Sequence, residues 1–184
     1  PVRGQSVDPR SNPLKKIGKR CLIDWTIESA LESRLVTKVI ITSPDKQVIG
    51  HVRTNYPEVI LHERDVQLAR INTGIEDTAL ESLDFYKSNG KEPDALLMLY
   101  IEAPFRSTMY MDKAINTFQL YDVDVVDGVS SDNDIFYVHR GNGLELWHKD
   151  NRLRLEREEL YRRAGGIHLI RTSALMKTKD MLGG

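Results

Sequence analysis

An α/β fold is predicted for this chain: a mostly parallel sheet with helices on both faces, and a β-hairpin excursion in the C-terminal third. Three observations predict it. Short β-branched or apolar runs at residues 37–43, 59–61, 95–101 and 123–129 alternate with segments of helical spacing, joined by short connections. Strand, helix, strand at this spacing implies right-handed crossovers, and therefore parallel neighbours covered on both sides. In the last third the rhythm breaks: residues 135–138 and 144–147 flank Gly141-Asn142-Gly143, a hairpin signal.

The elements follow in order. Residues 22–35 place Leu22, Trp25, Ile27, Ala30, Leu31 and Leu35 near helical spacing, with Asp24 or Thr26 available as a cap. Residues 37–43 form a β-branched run bounded by Pro44 and read as a strand buried on both faces. Residues 45–56 carry Val48, Ile49 and Val52 on one face and stop at Pro57. A shorter strand, 59–61, precedes an aperiodic loop over 62–74. Helix is expected again over 76–86, with Ala79, Leu80 and Leu83 inward, broken at Ser88-Asn89-Gly90. The most apolar run, 95–101, is expected at the centre of the sheet and leads into Glu102-Ala103-Pro104-Phe105-Arg106. A helix over 108–121 and a strand over 123–129 follow. Residues 150–163, crowded with both charge signs, read as a solvated helix face, with subunit contact as the alternative. Residues 165–171 look like a return to the main sheet, and Thr172 is placed to cap a last helix ending near Leu182.

Composition narrows the function classes. A chain of 184 residues, 40% hydrophobic and 29% charged, is expected to be soluble and to fold as one domain, 1–184, with the excursion over about 130–163. The net charge of −1 argues against a general nucleic-acid binder. No apolar run reaches bilayer length and no basic-then-apolar leader is present, so no membrane association is expected. One cysteine, Cys21, excludes an internal disulfide framework and a Cys-rich zinc site, and makes cytoplasmic residence the default. Pro1 in place of Met and the terminal Gly183-Gly184 suggest trimming from a longer chain at both ends.

The chemistry concentrates in the opening loop, residues 1–18. Gly4 permits close backbone approach, Ser6 offers a hydroxyl, and Arg3, Arg10, Lys15 and Lys16 supply donors and positive charge with no apolar periodicity to explain them as core. Such a loop suits phosphate, and it also suits plain solvation. Ligands of parallel sheets sit at the carboxyl ends of the strands, which displays Glu102 in the cleft. Arg106 beside Pro104 could equally cap a helix or pair on the surface. His62 and His168 read as structural, since neither has a partner at metal-ligand spacing. Asp122 and Asp124 fall on one face of a strand and Asp127 on the other, against a metal cluster. Trp25 and Trp147 read as core or interface.

Taken together, Arg3-Gly4-Gln5-Ser6, Leu14-Lys15-Lys16-Ile17-Gly18-Lys19 and the 23–31 segment resemble the start of the sugar-acid cytidylyltransferases, especially the acylneuraminate (CMP-sialic acid) synthetases. Ala103-Pro104-Phe105-Arg106-Ser107 is similar to that family's Ser-Pro-Leu-Arg-Thr turn. Tyr161-Arg162-Arg163-Ala164-Gly165-Gly166-Ile167 resembles its Tyr-Arg-Arg-Asn-Gly-Ala-Ile segment, and 64–69 is a weaker echo. The likeness spans nearly the whole chain in the family's order.

The resemblance implies a Rossmann-like nucleotidyltransferase that moves CMP from CTP to a 2-keto sugar acid, releases pyrophosphate, uses Mg²⁺ and forms a homodimer through residues 135–163. It implies Arg3 and Arg10 as catalytic. Nucleotide binding would fall to Arg3, Gly4, Ser6, Arg10, Asn12, Lys15, Arg64, Ala103 and Pro104, and acceptor binding to Gln67, Arg106, Arg163 and Gly165. The related deoxy-octulosonate enzymes carry an acid two residues before the turn proline, so the resemblance also implies Glu102 as the Mg²⁺ ligand. The chain departs from the family at Val7, Asn12 and Pro13, where lysines and an asparagine are usual, and at Tyr100, Glu102, Ala103 and Ala164. The family's Asp-x-Asp segment would begin after Gly184. Those departures motivate two alternatives: a degenerate domain that binds nucleotide or a partner without turnover, and a nucleotidyltransferase for another sugar.

Overall fold

The structure, a computed structural model, describes residues 1–69, 74–88, 90, 92–132, 134–147 and 160–182. In chain order the elements are β1 (Lys16–Ile17), β2 (Arg20–Cys21), α1 (Leu22–Leu31), β3 (Ile40–Ser43), α2 (Lys46–Asn55), β4 (Ile60–Glu63), a 3-10 turn (Val66–Ala69), α3 (Ile75–Ser88) and β5 (Ala95–Met98). They continue with α4 (Thr108–Tyr121), β6 (Val125–Asp132), β7 (Tyr137–His139), β8 (Leu144–Leu146), β9 (Leu160–Arg171) and α5 (Thr172–Thr178). The α/β architecture is the one the sequence predicts. By compactness the chain divides into two units, 1–127 with 165–184, and 128–164.

In the first unit β3 and β4 pair in parallel, from Ile40 opposite Ile60 to Ser43 opposite Glu63. The opening segment runs beside β3, with Val2 N–H donating to Thr42 O at 2.9 Å. β5 pairs antiparallel with β9, Ala95 opposite Arg171 and Met98 opposite His168, and β9 lies between β5 and β6. The middle strand of this three-stranded sheet is therefore β9 and not the 95–101 run. An antiparallel pairing of this kind needs no crossover helix between its strands.

Alternation along β5 sorts the helices to two faces. Leu96 and Met98 pack with Ala79 and Leu83 of α3 and Leu175 of α5, whereas Leu97 and Leu99 pack with Met111 and Ala114 of α4. A third cluster joins Ile23 and Ile27 of α1, Val48 and Val52 of α2, Ile41 of β3, and Val2. Full burial of side chains of this size stabilises by about 1.5–3 kcal/mol each.

Local chemistry sets the boundaries. α1 starts at Leu22 because Cys21 is its N-cap, and the Asp24 carboxylate reaches back to accept the Cys21 N–H at 2.8 Å. Asp24 thus serves three residues inside the helix, and neither it nor Thr26 is the cap. The helix stops at Leu31, short of Leu35, where the Ser33 hydroxyl takes the Leu35 and Val36 amides at 3.3 and 3.1 Å. α2 begins on Asp45, which accepts from Gln47 N–H at 2.9 Å. β4 runs through His62 and Glu63, where a loop was expected, because pairing with Thr42 and Ser43 outweighs a weak strand pattern. α4 has the predicted bounds, with Ser107 accepting from Met109 N–H and Asp122 turning left-handed at φ 49°. Thr172 does not cap α5. It is the first helical residue, its buried hydroxyl has no partner among the described residues, and the helix ends at left-handed Lys179 instead of near Leu182.

The second unit holds the predicted hairpin. Tyr137 lies opposite Leu146 and His139 opposite Leu144, with Gly141 and Gly143 at φ 99° and 113° supplying the turn. Ile135, Phe136, Tyr137, Leu144, Leu146 and Trp147 are all exposed. Most of the charged 150–163 stretch lies outside the described residues, and its end, Leu160 to Arg163, is β-strand and not the expected helix.

Candidate functional site

The opening loop is shaped by one glycine and one acid. Gly4 sits at φ 76°, and its carbonyl accepts from the amides of Val7 and Asp8 at 3.3 and 3.1 Å, closing the turn. A Cβ at Gly4 would lie 2.3 Å from a carboxylate oxygen of Asp45. That oxygen accepts from Ser6 N–H at 3.2 Å while the other accepts from Gln47, so one carboxylate pins the loop to the start of α2. Burial pushes Asp45 up, yet the amides of Ser6 and Gln47 outweigh this and hold it below the usual carboxylate range.

Behind the loop lies a cavity of about 450 Å³. The loop gives it Arg3, Asp8, Arg10 and Ser11; the segment after β4 gives Arg64 and Leu68; α3 gives Ile75 and Thr78; the chain beyond β5 gives Tyr100, Ile101 and Glu102. Three guanidiniums thus face two carboxylates. Asp8 is 9% exposed and takes both loop arginines: Arg3 Nη1 is 3.7 Å from one oxygen, and Arg10 donates its Nε at 3.3 Å and its amide at 3.0 Å to the other. Hydrogen bonds from the Arg10 amide and side chain hold the Asp8 carboxyl below the usual carboxylate range. Arg64, 5% exposed, donates Nη1 to Thr78 Oγ1 at 2.9 Å, and its Nε has no partner among the described residues. Burial lowers its pKa. Glu102 is exposed, with no hydrogen bond or ion pair to any described residue.

The cavity therefore gathers Arg3, Arg10, Arg64 and Glu102 from the predicted set and leaves the others off its wall. Gly4 and Ser6 shape the loop through Asp45. Asn12 accepts from the Gln5 amide and donates to Arg10 O at 3.2 Å, while the Lys15 side chain is exposed. Gln67 is exposed in the 3-10 turn. Ala103 and Pro104 are half-buried in the turn after β5.

Arg106 does different work from the one expected. It donates Nε to Gly166 O at 2.6 Å and Nη2 to Tyr100 O at 2.5 Å, and desolvation pulls its guanidinium down to about 10. It neither pairs with Glu102 nor lines the cavity: it ties the turn to β9. Gly165, at φ 69°, lies on β9 in the first unit; Arg163 is exposed in the second. Asp122 and Asp124 both pair with Arg171, at 2.7 and 2.9 Å, and Asp127 pairs with His168 at 2.6 Å; the three acids are apart as expected, but Asp122 and Asp124 precede β6, so strand alternation is not the cause. His62 stacks on Phe85 and sits 3.7 Å from Glu81.

Sequence reasoning missed Asp8, Asp45 and Thr78. An acid amid Arg3, Arg10 and Lys15 is the one local signal for Asp8. Thr78 and Asp45 reach the site from 14 and 39 residues away, and spacing alone shows neither.

The sequence matches no known protein-family model. It is 24% identical over 143 residues to a 3-deoxy-manno-octulosonate cytidylyltransferase of Bdellovibrio bacteriovorus, a match over 73% of this chain and 57% of that protein. The chain thus spans a little over half the length of this curated relative. Its fold is shared with a CMP:2-keto-3-deoxy-manno-octonic acid synthetase solved with CTP, with a TM-score of 0.68 at 16% identity over 96% of this chain and 73% of the other. A 4-diphosphocytidyl-2C-methyl-D-erythritol synthase superposes with a TM-score of 0.71 at 10% identity, over 98% and 78%. The enzyme of that kind from Anaerococcus prevotii gives 0.69 at 14%, over 97% and 70%. The chain is thus similar in sequence to one cytidylyltransferase and has the α/β fold of these solved structures. Among the described residues no helix is long and apolar enough to cross a membrane.

Proposed function

We propose that the chain is a cytidylyltransferase domain that transfers CMP from CTP to a 2-keto sugar acid and releases pyrophosphate. The observation that carries this reading is the cavity at the end of β5, where Arg3, Arg10 and Arg64 converge on a space bordered by Glu102. In nucleotidyl transfer the acceptor hydroxyl oxygen bonds to the α-phosphorus, the bond to the β-phosphate oxygen breaks, and the hydroxyl proton passes to solvent. The protein's part is positioning and charge neutralisation. Arg3 and Arg10 exchange the Asp8 carboxylate for triphosphate oxygens, keeping the same charge-assisted geometry. Arg64, held by Thr78 in a dry wall, acts where charge is screened least.

Mg²⁺ fits the donor set. Glu102 is an oxygen ligand with no hydrogen bond or ion pair to a described residue, and Mg²⁺ is usually held by one or two carboxylates together with phosphate oxygens and water. Bound there, the ion supplies neutralisation and orientation of the phosphates. The curated match and the CTP complex are both named for deoxy-octulosonate enzymes, which favours that acceptor, with sialic acid as the second candidate. The exposed apolar side chains of the hairpin further support a homodimer formed through residues 135–163, which sedimentation at tens of micromolar would report as twice the monomer mass.

Pyrophosphate release with CTP and Mg²⁺ tests the reading, with deoxy-octulosonic, sialic and legionaminic acids offered in turn to the full-length gene product. Turnover with one acid and CTP, and not with the other three nucleoside triphosphates, is the expected result. CTP binding without turnover for any acid would replace it with a nucleotide-binding domain.

A further inference from the structure

Outside the cavity, three side chains of different chemistry converge between α1 and α2. Cys21 is the N-cap of α1, Asp24 stands one turn inside that helix, and His51 projects from α2. One ligand atom from each lies within 4.8 Å of the other two. Cys21 and Asp24 are buried, and the His51 side chain is 22% exposed, which leaves an entry path. His51 Nε2 lies 2.7 Å from Asp24 Oδ1, and the second Asp24 oxygen is held by the Cys21 N–H. The Asn55 side-chain nitrogen donates to His51 O at 2.8 Å and lies 3.4 Å from His51 Nδ1.

A hydrogen-bonded pair between helices accounts for Asp24 and His51 alone. Cys21 also packs in the apolar cluster of α1, α2 and β3, although as an N-cap serine, threonine, asparagine or aspartate would be better than a thiol. Thiolate, imidazole and carboxylate together suit a borderline divalent ion such as Zn²⁺, and three protein ligands with an open fourth position make a known pattern for it. Zinc at about 2.3 Å from sulfur and 2.0–2.1 Å from nitrogen places its ligands roughly 3.5 Å apart, so the cluster need close by only about an ångström.

We propose that Cys21, Asp24 and His51 form a three-ligand site for a zinc-class divalent cation, with water as the fourth ligand, separate from the nucleotide cavity. On binding, the ion takes the Cys21 sulfur and the thiol proton leaves to solvent. Asp24 Oδ1 and His51 Nε2 become ligands in place of their mutual hydrogen bond, the proton between them passing to Nδ1 or to solvent, while Asp24 Oδ2 stays on the Cys21 amide. The ion joins the start of α1 to α2, whose own first turn carries Asp45, the residue that pins the opening loop.

The test titrates the chelator-stripped chain with Zn²⁺ by calorimetry and with Co²⁺ by absorption. One ion per chain is expected, with a tetrahedral Co²⁺ spectrum that includes a thiolate-to-metal band. Cys21→Ser should abolish that band and His51→Asn should weaken Zn²⁺ binding at least about tenfold. Serine is a good N-cap, so Cys21→Ser keeps α1 folded, and circular dichroism checks this. Zn²⁺ should raise the melting temperature of the native chain and not that of His51→Asn. No stoichiometric binding to the native chain, or binding that both variants retain, would overturn the proposal.

Discussion

Arg3 and Arg10 on one side, and Arg106 on the other, show two ways of using a guanidinium at the same end of the sheet. The loop arginines share one acceptor, Asp8, in their own loop, and the Arg10 side chain is 79% exposed. Arg106 gives Nη2 and Nε to the backbone carbonyls of Tyr100 and Gly166, 60 residues away in sequence in the second case, and its buried Nη1 has no partner among the described residues. A carboxylate can be exchanged for a phosphate with the same geometry, whereas a carbonyl of the fold cannot be given up without loosening the fold. Arg64 stands between them, with one donor on Thr78 and its Nε unpaired among the described residues. An arginine's role is therefore told by what accepts its protons more than by its distance from a motif.

The largest effect should come from cutting the structural arginine. Arg106→Ala removes two charge-assisted hydrogen bonds and should destabilise by about 3 kcal/mol, a loss of roughly 6–12 °C in Tm for a chain of this size. Calorimetric melting measures it, and CTP affinity of the folded variant should stay within about twofold. Unchanged melting with lost acceptor affinity would move Arg106 into the site and erase the contrast.

Next in size is Gly4→Ala. The new Cβ meets the Asp45 carboxylate and must hold φ 76°, which for a non-glycine residue costs about 1–2 kcal/mol before any clash. Both melting temperature and CTP affinity should fall, because the loop and its pin move together. A fall in affinity alone would mean that Gly4 serves the ligand directly.

Glu102→Gln sharpens the cavity side of the comparison. Stability should change by less than about 0.5 kcal/mol, since the carboxylate is exposed and has no hydrogen bond or ion pair to a described residue. Mg²⁺-dependent turnover should be lost while CTP binding without metal persists, and a retained Mg²⁺ profile in kinetic assays would remove Glu102 as a ligand.

The smallest effect is a pH dependence beside Arg64. Burial lowers the pKa of His62, with Glu81 opposing and Arg64 assisting. The unfolded chain takes up the proton first, near the ordinary 6.5, so stability is constant above that pH and falls as pH drops toward the lower folded value. Melting at pH 7.5 and 5.5 should show a loss of at most about 1 kcal/mol that His62→Gln reduces. An equal loss in the variant would assign it to other groups.

Much of this fold was legible where signals are local. The helix expected over 108–121 has those bounds, and Gly141-Asn142-Gly143 marks the hairpin between Tyr137 and Leu146. Legibility fails where distant partners decide. The middle position of β9 depends on its pairing with β5, and β4 extends to Glu63 because β3 is there to pair with. Within the site, Arg3, Arg10, Arg64 and Glu102 were readable from residue type and place along the chain. Asp8 was hidden by its basic neighbours, and the true partner of Arg106 by the 60 residues that separate it from Gly166.

The central claim is that the loop arginines face phosphate, and titration of CTP into the native chain and Arg3→Ala tests it most directly, with melting temperatures recorded on the same samples. Arg3→Ala should weaken CTP binding by about 1.5–3 kcal/mol, roughly 10- to 150-fold, with a Tm shift of no more than a few degrees. Unchanged CTP affinity together with a large drop in Tm would show that Arg3 holds the fold and that the cavity is not the triphosphate site.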